Sequence, residues 1–73
     1  MNLDEAPLLA DVEVVAIRGQ RAFRRRLLEL GLLPGTRLVK HKVAPLGDPI
    51  EVEVRGARLS IRRAQAQGIE VKP

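Results

Sequence analysis

Seventy-three residues leave room for a single domain, residues 1–73, with one modest core, because a chain this short buries only about 60% of the surface its unfolded form exposes. Apolar residues at 45% and charged ones at 30% exclude a disordered composition, and the absence of cysteine excludes disulfides, thiolate zinc sites and redox pairs. The formal net charge of +4 points to a basic face suited to an acidic protein surface, anionic lipid heads or phosphates.

Residues 1–9 mix Asp4, Glu5 and Pro7 with leucines and show no period, which predicts a lead-in that docks late or frays. Residues 12–17 read as a strand with Val12, Val14 and Ala16 on one face and Glu13, Val15 and Ile17 on the other. Apolar side chains on both faces predict a strand held between the core and a helix. That helix is predicted over residues 20–30, where Phe23, Leu27 and Leu30 fall within about 60° of arc if each residue advances roughly 100°. The three form a predicted core stripe. Arg21, Arg24 and Arg25 lie on the opposite side, with Leu28 between Arg21 and Arg24 on the helical wheel. A leucine ringed by arginines is either a lone exposed side chain or the centre of a contact patch.

Leu30-Gly31-Leu32-Leu33-Pro34-Gly35 ends the helix and turns at once into a strand. Gly31 can take positive φ at the residue after the cap, and Pro34-Gly35 suits the centre of a type II turn. Residues 36–44 form the next predicted strand, where adjacent Leu38 and Val39 break the alternation and predict a bend or bulge. Ala44-Pro45-Leu46-Gly47-Asp48-Pro49-Ile50 folds that strand back on its neighbour, with Pro45, Gly47 and Pro49 as turn residues and Asp48 expected to bond its own backbone. Ile50, Val52 and Val54 alternate with Glu51, Glu53 and Arg55, the clearest half-buried strand of the chain. Gly56-Ala57 is a turn candidate, residues 58–61 return with Leu59 and Ile61 inward, residues 62–67 form a helical or 3₁₀ turn ended by Gly68, and residues 69–71 are a last short strand.

This pattern predicts a mainly β fold, a small SH3-like antiparallel barrel of about five strands with one α-helix inserted between strands 1 and 2. Closure would remove the exposed edges. The residue chemistry predicts neither an enzyme nor a bound cofactor. His41, the sole histidine, has lysines on both sides and no cysteine or second histidine with which to complete a metal site. Ser60 is the sole serine and sits opposite the core positions Leu59 and Ile61, without a base that the spacing requires. No apolar stretch approaches the roughly 20 residues that cross a bilayer. With no basic, apolar and small-residue leader at the N-terminus, the cytosol is the expected compartment.

Leu27-Leu28-Glu29-Leu30-Gly31-Leu32-Leu33-Pro34-Gly35, then Ala44-Pro45-Leu46-Gly47-Asp48-Pro49-Ile50, then Leu59-Ser60-Ile61-Arg62-Arg63 with Ala66 and Ile69-Glu70-Val71, resemble the FeoA family, ferrous iron transport protein A. The likeness runs from about Val14 to Val71. It implies a small accessory of ferrous iron uptake that docks on or regulates the cytosolic region of the FeoB membrane transporter, reaching the membrane only through that partner. It implies no nucleotide hydrolysis, and the chain has no glycine-rich loop ending in Lys-Ser or Lys-Thr. The same module occurs at the C-terminus of iron-dependent repressors; the absence of a helix-turn-helix ahead of it favours the transport protein. Gln65 and Gly68 depart from the family, which often has an acidic residue at the first position and a larger one at the second.

Candidate partner-binding residues are Arg21, Arg24, Arg25 and Leu28 on the helix and Leu46 and Asp48 in the turn. Two alternatives remain at this level. One is an SH3-like domain partnering a metal-dependent repressor. The other is a small basic nucleic-acid-binding barrel, which the scarcity of aromatic rings disfavours because Phe23 belongs to the core stripe. Self-association stays open.

Overall fold

The structure, a computed structural model, describes residues 1–73. In chain order it contains β1 (Asp11–Ile17), α1 (Arg21–Glu29), β2 (Arg37–Val43), β3 (Ile50–Val54), β4 (Ala57–Ile61), α2 (Arg63–Ala66) and β5 (Ile69–Lys72). The fold is mainly β, as the alternation predicts. All strand pairs are antiparallel, in the order β4-β3-β2-β1-β5. β4 and β5 do not pair with each other; α2 carries the chain between these two edges, so the barrel stays unclosed.

One cluster of 15 buried aliphatic and aromatic residues forms the core, and every strand contributes to it. Two bulges decide which side chains enter. In β1 the register against β5 shifts between Val14 and Ala16, making Val15 the extra residue. Val12 and Val14 point inward; beyond the bulge the phase inverts, so Val15 is exposed while Ile17 packs on the core. The two-faced apolar pattern of this strand is therefore a phase change rather than a covering on both sides. In β2 the predicted irregularity exists, but between Lys40 and Lys42 rather than at Leu38 and Val39. Leu38 and Lys40 both face inward, and His41 is the extra residue that lets Val43 reach the core.

The helix end corrects the predicted stripe. Phe23 and Leu27 are buried, but Leu30 is 47% exposed and its place is taken by Leu32. The reason is the cap. Gly31, at φ +87°, reverses the chain, so that its N–H bonds the Leu28 carbonyl (3.0 Å) and the Leu32 N–H bonds the Leu27 carbonyl (2.8 Å). This paired cap lays Leu32 over Leu27, both without solvent exposure. Pro34-Gly35 then makes the predicted type II turn, with Gly35 at φ +92° and the Thr36 N–H on the Leu33 carbonyl at 2.9 Å. The Thr36 hydroxyl accepts from the Leu33 N–H and donates to the Gly31 carbonyl, tying the two turns together.

Between β3 and β4 the turn residues are Arg55 and Gly56, one position earlier than predicted, since Val54 pairs with Ala57. Both take positive φ, 51° and 79°, the geometry that matches strand twist in a two-residue hairpin. The lead-in also differs from expectation. Instead of fraying it lies along β5, with an antiparallel bridge between Asn2 and Glu70, the Leu3 N–H on the Ile69 carbonyl and the Val71 N–H on the Met1 carbonyl. Leu3 and Ala6 enter the core. Lys40 holds them there: only 7% exposed, its ammonium donates to the carbonyls of Asp4 (2.7 Å) and Ala6 (3.1 Å).

Candidate docking surface

The exposed side of α1 carries Arg21, Arg24, Arg25 and Arg26 with Leu28 among them. Helix energetics do not account for this face. Arginines three and four apart repel one another by about 0.2–0.5 kcal/mol per pair, and α1 has no acid in its first turn to offset them. Only Arg26, in the last turn, complements the helix dipole. The remaining charges are arranged differently. Arg18 pairs with Glu70, Arg37 with Asp11 and Glu13, Arg58 with Glu51 and Glu53, Arg63 with Asp4, and Lys72 with Glu13. The α1 arginines, Arg55 and Arg62 have no carboxylate within ion-pair distance. Four of the six arginines without an ion pair are thus on α1, which also carries Glu29, while Lys40 and Lys42 of β2 have no carboxylate partner either.

Leu28, 50% exposed, stands at the border of two hollows. On one side Arg21, Arg24, Arg25 and Leu28 line a shallow cavity of about 390 Å³. On the other, Ile17, Arg24, Leu28 and Pro34 line a cleft of about 120 Å³. Four of the candidate residues, Arg21, Arg24, Arg25 and Leu28, are therefore brought together. Ile17 and Pro34 join them through the β1 bulge and the type II turn, a neighbourhood that helical periodicity alone does not reveal.

Leu46 and Asp48 line neither hollow. Leu46 projects from the β2–β3 loop at 96% exposure. Asp48 does not bond its own backbone as expected; its carboxylate accepts from the Arg63 N–H at 3.0 Å and so caps α2 across a sequence gap of 15 residues. Gln65 completes that helix start by accepting the Arg62 N–H on its side-chain oxygen at 3.3 Å. Gly68 also has a structural reason: a Cβ there would lie 2.9 Å from the Arg18 carbonyl oxygen, whose residue donates its N–H to the Gly68 carbonyl. Asp4, which the sequence did not single out, receives the Arg63 guanidinium and the Gln67 amide. The Arg63 bond holds the Asp4 carboxyl below the usual carboxylate range; partial desolvation opposes this, and the Gln67 amide and the positive charges of Arg63 and Lys40 reinforce it.

No group of three or more His, Cys, Asp or Glu side chains is arranged to hold a metal ion. The single aromatic ring, Phe23, is 9% exposed and lines a hollow of about 210 Å³ with Gly19, Gln20 and residues of α2. No helix is long and apolar enough to cross a membrane.

A family model described as the FeoA domain matches residues 1–73, the entire chain. This chain belongs to the FeoA family. Among solved structures, a FeoA protein from Chlorobium tepidum is 45% identical, with a TM-score of 0.93 over 97% of this chain and 68% of that one. FeoA of Stenotrophomonas maltophilia, crystallised with zinc and described as an SH3 domain protein possibly acting as a ferrous iron transport activating factor, is 30% identical with a TM-score of 0.84, covering 99% of this chain and 89% of that one. The SH3-like FeoA fold anticipated from the sequence is therefore the fold of its relatives. A curated relative from Porphyromonas gingivalis is a fusion of Fe(2+) transport protein A with the Fe(2+) transporter FeoB, 33% identical over 72 residues. The match covers 99% of this FeoA chain but only 8% of the length of that fusion protein.

Proposed function

We propose that this FeoA chain is a cytosolic accessory of ferrous iron uptake that docks on a FeoB-type transporter through the exposed face of α1 and catalyses no reaction of its own. The observation that carries the reading is the fusion of a FeoA segment and FeoB in one polypeptide of the P. gingivalis relative. Segments joined covalently in one organism meet at high effective concentration, an arrangement that suits an interaction too weak to persist between separate chains. The unpaired arginines supply the other half of the argument. They steer encounter with an acidic surface, while Leu28, bordered by Ile17 and Pro34, offers the small apolar centre in which most of the binding energy resides.

Calorimetric titration of the chain against the cytosolic region of the transporter tests this reading. Replacing Arg21, Arg24 and Arg25 together by Glu is expected to weaken binding by about a hundredfold or more, mostly through slower association at low salt. Leu28→Asp is expected to weaken it by about tenfold through faster dissociation. Unchanged affinity in both variants rejects the α1 face.

A further inference from the structure

The sheet has one covered and one uncovered edge. Residues 1–3 lie against β5 and occupy its outer hydrogen-bonding groups. Nothing in the chain does the same for β4. The two-residue turn at Arg55 and Gly56 makes Val54 and Ala57 a hydrogen-bonded pair, so the bonded positions of β4 are Ala57, Leu59 and Ile61. The N–H and C=O groups of Arg58 and Ser60 consequently point away from β3. The Ser60 carbonyl receives only a long contact from Arg26, at 3.5 Å.

One hollow beside this edge carries positive charge alone. Arg26, Pro49, Ser60, Arg62 and Gln65 line a hollow of about 260 Å³ beside it with no carboxylate among them. Arg26 and Arg62 have no ion-pair partner, whereas Glu51 and Glu53, the nearest acids across the hairpin, are both engaged by Arg58. We propose that β4 takes up an extended, acidic segment of another polypeptide as an added strand, with Arg58 and Ser60 supplying the main-chain hydrogen bonds and Arg26 and Arg62 selecting the acidic side chains. The contact shares Arg26 with the exposed side of α1 but uses none of Arg21, Arg24, Arg25 and Leu28, the residues whose replacement tests that docking face.

The test uses the whole isotope-labelled chain and a capped peptide of alternating Glu and Val, with a peptide of alternating Lys and Val as control. With the acidic peptide at saturation, hydrogen exchange at the Arg58 and Ser60 amides is expected to slow by about tenfold or more, as a newly bonded amide does. Ser60→Pro deletes an edge donor that the hairpin does not use and should weaken peptide binding by about tenfold. Joint replacement of Arg26 and Arg62 by Ala should weaken binding and flatten its dependence on salt, and it decides the matter if the proline variant fails to fold. Equal binding of the Lys peptide, full affinity in the arginine double variant, or a peptide footprint that leaves Arg58 and Ser60 unprotected overturns the proposal. So does sedimentation showing that a second copy already occupies this edge in the absence of peptide.

Discussion

At the residue scale, individual atoms explain why particular side chains stand where they do. Gly68 is needed because a methyl group would press on the Arg18 carbonyl at 2.9 Å. Gly68→Ala is expected to cost about 1–3 kcal/mol of stability, the range for overpacking a filled site, read as a lower urea midpoint with unchanged slope. Asp48 caps α2 from the β2–β3 loop, so Asp48→Ala should cost about 0.5–2 kcal/mol, as loss of a helix cap does. Asp4 makes stability depend on pH. Its carboxyl titrates lower in the folded chain than in the unfolded one, so the unfolded state binds more protons in the acid range and stability rises with pH there. The Asp4 contribution is complete above the unfolded value of about 3.9 and disappears as pH falls through the lower folded value. Urea titrations at a series of acidic pH values should show this slope in the native chain and a shallower one in Asp4→Asn.

At the scale of elements, what was legible in the sequence followed from periodicity and from glycine and proline. The strand of Ile50, Val52 and Val54 was readable because its alternation is unbroken, and the reversal after α1 because Gly31 and Pro34-Gly35 permit few other conformations. Bulges were less legible, since one extra residue changes the buried phase without altering composition; Val15 and His41 became evident only once pairing partners were known. Helical periodicity misplaces Leu30 because a helical wheel assumes the helix continues, whereas the cap swings Leu32 into the core instead. Docking of the lead-in rests on Lys40, a lysine at an inward strand position, which is itself the sequence signal that buried carbonyls await it. Lys40→Met leaves those carbonyls without a donor. Exchange at the Leu3 amide is expected to rise by about tenfold or more relative to the β3 amides, because the lead-in then opens separately from the sheet.

For the whole molecule, charge is segregated more than its modest net value suggests. Ion pairs neutralise most of the sheet surface, and the uncompensated arginines gather on α1 and beside the β4 edge. The arginine run was visible in the sequence; which of those arginines lack partners was not, because ion pairs such as Arg18 with Glu70 and Arg63 with Asp4 join residues distant along the chain. Candidate residues on one helix came together, while Leu46 and Asp48 separated, because a shared helix face is local information and the direction of a loop is not.

The proposed docking on a FeoB-type transporter through α1 is open to direct test. The direct measurement is an amide chemical-shift map of the labelled FeoA chain titrated with that region, at low and at high salt. The account predicts perturbations centred on Arg21, Arg24, Arg25 and Leu28, extending to Ile17 and Pro34's neighbours and fading as salt rises. Binding that leaves the α1 amides unmoved, or no binding at low salt, contradicts it.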